Sequence, residues 1–213
     1  LSSVLLPIIA VAYRGKGGRV VSLLDMVSII SSSHSVNDLA SRIRVVGHIF
    51  RNTVNFTVAN YLLRIAEIKG YGIVNAVAEA LTEVFMRVPK LLIKWVARRI
   101  RRMNNVAVEA LIKAIAYLET YNKDYYSRDS LLKYIILSSF LRREPRLVAQ
   151  TIISLGYIFR KSGSEPALAM IRGFMGKDRL IDNAIARATS LIAEGNRSRM
   201  AKKILLKLLD SVD

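Results

Sequence analysis

Apolar residues recur at helical spacing along almost the whole chain, and no segment shows the sustained period-two alternation that is typical of strands. The pattern predicts an all-α fold, a compact bundle of about ten short helices, with a helix-hairpin solenoid as the alternative. The predicted helices are residues 20–32, 36–51, 54–69, 72–87, 89–103, 105–121, 128–142, 145–161, 165–175, 179–194 and 197–211.

Capping and helix-breaking residues set these boundaries. Ser35 or Asn37 is suited to cap the second helix, and residues 69–72, Lys-Gly-Tyr-Gly, separate the third helix from the fourth. Proline is favoured in the first turn of a helix, where its missing N–H costs little. Three prolines fall at predicted helix starts, namely Pro89, Pro145 and Pro166. The connections are therefore short, which favours antiparallel neighbours.

Two predicted helices share a pattern. Residues 40–51 read ASRIRVVGHIFR, and residues 149–160 read AQTIISLGYIFR. In each, the apolar residues lie on one helix face with a glycine at its centre, Gly47 or Gly156, where a second helix backbone could approach closely. Either a repeat of stacked helix hairpins or the convergent demands of close helix packing would explain the match.

The first 19 residues differ in character from the rest. Residues 1–13 are apolar, and a Gly-rich basic linker follows them and ends at Arg19. The apolar run is shorter than the roughly 20 residues of a membrane span, and its cations follow it, whereas those of a signal peptide come first. We expect residues 1–19 to be an arm that contacts another subunit, or else a first core helix. We expect residues 20–213 to form a single helical domain.

The composition is strongly basic. The chain holds 33 Lys and Arg against 16 Asp and Glu, a net charge of +17, with a pI near 10.4. Such a chain repels itself unless a polyanion is near, and the candidates are nucleic acid, an anionic membrane or an acidic protein. The single Gln and the many Ile, Val and Arg residues are compatible with a thermophilic source.

The densest cluster of cations is the stretch 89–103, PKLLIKWVARRIRRM, which contains no acid. As one continuous helix it would carry its cations along one side and its apolar residues on the opposite, buried side, where we also expect Trp95. A solvated face normally pairs its cations with acids three or four residues away, but residues 84–108 include no Asp or Glu. The stretch therefore favours a phosphate-binding face. Its cations are Lys90, Lys94, Arg98, Arg99, Arg101 and Arg102.

Three further clusters are candidate nucleic-acid contacts. One lies in the linker, one brackets a predicted helix start at Pro145, where backbone N–H groups would add to an anion site, and one begins the last helix. They are Arg14, Lys16 and Arg19; Arg142, Arg143 and Arg146; and Arg197, Arg199, Lys202 and Lys203. The segment 121–128 mixes Tyr with cations in a loop, as single-strand-binding surfaces do, although side chains that cover a helix connection would explain it too.

No motif of catalysis or cofactor binding is present. The chain has no Cys, which excludes disulfides and thiolate metal sites, and His34 and His48 are not at a metal-binding spacing. Two carboxylate pairs at helical spacing are more simply explained as surface acids bound to Lys or Arg. They are Glu79 with Glu83 and Asp178 with Asp182. The sequence therefore predicts neither an enzyme nor a cofactor or metal site.

Together these features predict a non-enzymatic structural protein that binds DNA or RNA through phosphates, without sequence preference and in many copies, as a coat, nucleocapsid or chromatin-like protein would. Its expected partners are nucleic acid and other copies of itself or of a related subunit, inside a cell or a virion-like particle. Two alternatives stay open. One is a solenoid-like scaffold that binds an acidic protein or RNA, and the other is a peripheral membrane protein on anionic lipid.

Overall fold

The computed structural model describes residues 13–14, 20–21, 23–121, 130–160, 165–176, 178–195 and 199–209. The all-α prediction is confirmed, because helices make up most of the described chain. They are α1 (Leu23–Ser31), α2 (Val36–Ile49), α3 (Phe56–Lys69), α4 (Val74–Phe85), α5 (Pro89–Ala97), α6 (Asn105–Tyr121), α7 (Ser130–Phe140), α8 (Pro145–Phe159), α9 (Glu165–Arg172), α10 (Arg179–Gly195) and α11 (Arg199–Leu209). The strands among the described residues are β1 (Tyr13–Arg14) and β2 (Val20–Val21), a short antiparallel pair.

The chain divides into two compact units, Leu1–Val88 and Pro89–Asp213. The sequence predicts one helical domain over 20–213, and that division into domains stays a prediction. Each unit is a bundle of short helices with its own buried apolar residues.

Every predicted helix is found, and the ends differ by a few residues except in the helix predicted over 89–103, which ends at Ala97. Of the two predicted caps of α2, Ser35 makes the bond, because its Oγ accepts the N–H of Asp38 at 3.1 Å. Gly70 ends α3 with a φ of 76°, a left-handed conformation that glycine adopts without strain. The predicted first-turn prolines Pro89 and Pro145 begin α5 and α8.

In the first unit, α2 packs against α4 at a point where the two backbones approach closely. A Cβ on Gly47 would lie 2.5 Å from the Cα of Ala80, well inside contact distance. The buried side chains Leu39, Ile43 and Val46 line the same face of α2. The predicted close approach at Gly47 is therefore confirmed.

In the second unit, α8 packs against both α6 and α10, while α5 packs against α7 and α9 against α11. Helices that pack on the helix after next are typical of stacked helix hairpins. The contact of α8 with α10 again forms at a glycine, because a Cβ on Gly156 would lie 2.7 Å from the Cα of Ala188.

The two glycine contacts belong to a repeated arrangement of helices. Residues 75–78 of α4 read NAVA and residues 183–186 of α10 read NAIA, each just before the alanine that meets the glycine. In addition, an arginine just after α2 pairs with a glutamate near the end of α4, and the same pairing joins the end of α8 to α10. The pairs are Arg51 with Glu83 at 3.0 Å and Arg160 with Glu194 at 3.1 Å.

The order α2–α3–α4 therefore recurs as α8–α9–α10. These shared contacts favour a repeated module over convergent packing, and a cationic helix, α5 or α11, follows each copy in the chain.

Candidate nucleic-acid interface

The first part of the basic stretch lies on the amphipathic helix α5. Leu92, Ile93 and Val96 form its buried side, and each is at most 1% exposed. Lys90 and Lys94 are exposed, and their spacing of four residues places them on one face of the helix. Burial of each apolar side chain contributes about 1.5–3 kcal/mol, so α5 is held with its cationic side at the surface.

The predicted continuous helix over 89–103 is wrong in its second half. The α-helix ends at Ala97, and a 3₁₀ turn at Ile100–Arg102 follows. The N–H groups of Arg99 and Arg102 donate to carbonyls only three residues back, at 2.9 and 2.8 Å. We call residues 98–102 the basic turn. Its apolar residue, Ile100, is 1% exposed, while its four arginines are exposed.

Two contacts explain why the α-helix stops. Asn104 caps α6, because its Oδ1 accepts the N–H of Ala107 at 2.9 Å, and the preceding Met103 is extended. The carbonyl of Ile100, which an α-helix would pair with an N–H four residues on, accepts a hydrogen bond from the guanidinium of Arg142. These contacts hold the turn that connects the end of α5 to the start of α6.

Arg142 is a structural residue at this site. Its guanidinium also donates to Asn105 Oδ1 at 2.8 Å, so it joins the basic turn to the start of α6. Burial lowers the pKa of Arg142, whose side chain is half-buried. The sequence predicts a phosphate contact here, but the structure commits this guanidinium to the protein's own backbone and side chains.

The rest of the predicted cluster at the start of α8 is also largely engaged within the protein. Arg146 Nε lies 3.0 Å from Glu109 Oε2, and Glu109, 1% exposed, also binds Lys113 at 2.9 Å. Glu144 caps α8 by accepting the Leu147 N–H at 2.7 Å. The helix N-terminus therefore already holds a carboxylate. In this cluster the exposed side chain of Arg143 has no hydrogen bond or ion pair among the described residues.

Two guanidinium groups of the basic turn lie over aromatic rings. The Cζ of Arg99 is 5.1 Å from the centre of the Trp95 ring, and the Cζ of Arg101 is 5.8 Å from that of Tyr134 on α7. Trp95 is half-buried, so the prediction that it belongs to the core is only partly correct. Sequence reasoning missed Tyr134, and no local signal links it to the basic stretch.

The acids nearest to this region in the sequence are bound to other cations. Glu83 pairs with Arg51 at 3.0 Å, and Glu109 pairs with Lys113 and Arg146. Residues 84–108 contain no acid, so no carboxylate close in the sequence is available to pair with the cations of the stretch. We define the basic face as its six exposed cations, Lys90, Lys94, Arg98, Arg99, Arg101 and Arg102.

The remaining predicted contacts belong to other segments of the sequence. Arg14 belongs to β1, whereas Lys16, Arg19 and Arg197 lie outside the described residues, as does the Tyr-rich segment after Tyr121. Three predicted contacts are exposed on α11, namely Arg199, Lys202 and Lys203. In the second unit, α11 packs against α9 and α10, whereas α5 packs against α6 and α7.

The paired carboxylates have structural partners. Glu79 binds Arg44 of α2, just as Glu83 binds Arg51. The carboxylates of the second pair accept backbone N–H groups, Asp178 from Leu180 at 2.7 Å and Asp182 from Gly176 at 2.9 Å. Within the described part of the chain, no group of three His, Asp or Glu side chains is placed to hold a metal ion. Nor does any described helix have the length and apolarity to cross a bilayer.

No protein-family model, no curated protein and no solved structure matches this chain.

Proposed function

We propose that this protein binds nucleic acid through the phosphate backbone, without reading the bases, as a non-enzymatic structural protein that acts in many copies. The observation that carries the proposal is the basic face, six exposed cations on α5 and the turn after it. The nearest acids in the sequence are bound to other cations. Each cation that neutralises a phosphate releases counterions, so several together give salt-sensitive affinity for any sequence.

The geometry of the arginines supports phosphate as the ligand. A guanidinium that stacks by its face on an aromatic ring keeps its in-plane N–H groups available for the oxygens of a phosphate. The Cζ atoms of Arg99 and Arg101 lie over the rings of Trp95 and Tyr134, 5.1 and 5.8 Å from the ring centres. Contact with a ring also restricts these long side chains before binding, which reduces the entropy lost when they order on a ligand.

Two observations support action in many copies on a long polymer. The net charge of +17 exceeds what one basic face supplies. In addition, each copy of the repeated helix module is followed by a cationic helix. Charge distributed in this way suits a coat, nucleocapsid or chromatin-like protein better than a protein with one recognition helix.

The test is a salt titration of binding to two duplexes of unrelated sequence. With four to six phosphate contacts, log K should fall against log [salt] with a slope of about −4 to −5, and it should do so equally for both duplexes. The variant Lys94→Gln/Arg98→Gln should lower the magnitude of that slope by about 2, since it removes two contacts.

The matched control is Lys69→Gln/Arg179→Gln, which removes two exposed cations outside the basic face. It has the same net charge as the test variant, so it separates site contacts from the general field of the protein. A flat salt response of the unmodified protein would remove the proposal. An equal loss of slope in both variants would remove the assignment to the basic face.

A helical scaffold for an acidic protein or RNA is the second candidate, and the stacked helices α6, α8 and α10 favour it. A scaffold for an acidic protein would bind polyglutamate about as well as DNA of equal charge, whereas the proposed function requires preference for nucleic acid. Sedimentation with anionic and neutral vesicles tests the membrane alternative.

A further inference from the structure

A second cationic surface lies on α9 and α11, in a groove of about 660 Å³ that is open to solvent. We call it the C-terminal groove. Its cations are Arg172, Arg199, Lys203 and Lys207, and Met175, Met200 and Ile204 complete its lining. Arg172 is absent from the contacts predicted from sequence, because nothing in the chain order joins the end of α9 to α11.

The charges of the groove form a row. Arg199, Lys203 and Lys207 are each four residues apart on α11, so they follow one another at steps of about 6 Å along one helix face. Arg172 adds a fourth cation from the end of α9. Among the described residues, none of the four cations forms an ion pair with a carboxylate, and none of the described lining residues is an acid.

The apolar side chains of the groove indicate which form of nucleic acid it binds. Met175 and Met200 are half-buried beside the cations, and Ile204 is buried beneath them. Phosphate groups alone would gain nothing from contact with these apolar side chains, which we call the floor of the groove. A duplex keeps the faces of its bases stacked inside. A single strand exposes base faces, and the adaptable side chain of Met suits a flat apolar ligand.

We propose that the C-terminal groove is a second nucleic-acid site, one that takes single-stranded DNA or RNA, with phosphates along the row of cations and bases over Met175 and Met200. The choice of ligand rests on the proposed function, whereas the groove and its charges do not. The chain then carries two surfaces of different chemistry, a basic face for the backbone of any duplex and a groove for unpaired strands.

The experiment compares binding of a fluorescent oligothymidylate and of a blunt duplex at several salt concentrations. Lys203→Gln/Lys207→Gln should lower the single-strand slope by about 1.4, because each phosphate contact on a single strand contributes about 0.7. Its affinity for the oligothymidylate should fall about tenfold at moderate salt, while duplex affinity changes by less than about threefold. The control is Lys69→Gln/Arg179→Gln, which removes two exposed cations that do not line the groove and so has the same net charge as the test variant.

A second variant tests the floor. Met200→Ser leaves every cation in place, so it should weaken oligothymidylate binding several-fold without changing the salt slope, provided that its circular dichroism shows an intact helical fold. Equal losses for single strand and duplex in the charge variant would overturn the inference. So would binding of an acidic amphipathic peptide in the groove with no effect of the variants on oligothymidylate.

These outcomes separate the two proposals. If the unmodified protein binds neither duplex nor single strand, the proposed function and this inference both fail. If it binds duplex through the basic face while groove variants retain full single-strand affinity, this inference alone fails.

Discussion

Replacing Arg142 by Gln tests whether this residue holds the basic turn in place. The guanidinium of Arg142 donates to the Ile100 carbonyl and, at 2.8 Å, to Asn105 Oδ1. Hydrogen bonds that involve a charged group are worth about 1.5–3 kcal/mol each, and the half-buried position of Arg142 reduces that value through solvent screening. We therefore expect the free energy of unfolding to fall by about 2 kcal/mol.

The assay is thermal and urea unfolding followed by circular dichroism. A loss of about 2 kcal/mol corresponds to a Tm lower by about 4–8 °C for a chain of this size. The matched control is Arg143→Gln, which removes an equal charge from the neighbouring exposed residue and should change stability by at most about 0.5 kcal/mol. The salt slope of nucleic-acid binding should be unchanged in Arg142→Gln, because all cations of the basic face remain. Unchanged stability would contradict the structural role of Arg142, and a loss of slope without a loss of stability would assign Arg142 to a ligand.

Two further predictions concern the fold. Gly47→Ala and Gly156→Ala should each destabilise the protein by about 1–3 kcal/mol, because the new Cβ would overlap Ala80 or Ala188 and the cost of that overlap exceeds the gain in helix propensity. His48→Ala is the exposed control. Stabilisation by either glycine variant would contradict the close approach. The pKa of Asp38 is held below its usual value by the hydrogen bond from the Arg42 side chain and by the N–H of His34. The contribution of ionised Asp38 to stability is therefore complete above about pH 4 and is lost as the pH falls through the lowered pKa. The free energy of unfolding should then decline less steeply below about pH 4 in Asp38→Asn than in the unmodified protein. Urea unfolding between about pH 5 and pH 2 measures this, and identical profiles would contradict the prediction.

Local patterns in the sequence were sufficient to predict the helices and one packing detail. Helical spacing, together with Ser35, Gly70 and the prolines, locates every helix because caps and breakers act within a few residues. The position of Gly47 on an apolar face predicts a close backbone approach for the same reason. The sequence also contains a signal that completes the repeat, the segments NAVA in α4 and NAIA in α10, although they are recognisable only once their helices are paired.

The features that the sequence did not predict depend on contacts between distant residues. The helix predicted over 89–103 ends at Ala97, and the Ile100 carbonyl in the turn after it accepts a hydrogen bond from Arg142, 42 residues later. The predicted anion site at the start of α8 is used internally because Glu109 lies beside Arg146 and Glu144 caps the helix. A cluster of cations in a sequence shows charge, but only the fold shows which cations already have partners.

The most direct test of the basic face is lysine footprinting with an acetylating reagent, with and without saturating duplex DNA. The two lysines to compare are Lys94 on the basic face and Lys69 at the end of α3, both exposed in the free protein. Binding through the basic face predicts that duplex DNA slows acetylation of Lys94 several-fold and leaves Lys69 unchanged. Equal reactivity of Lys94 with and without bound duplex would contradict the account.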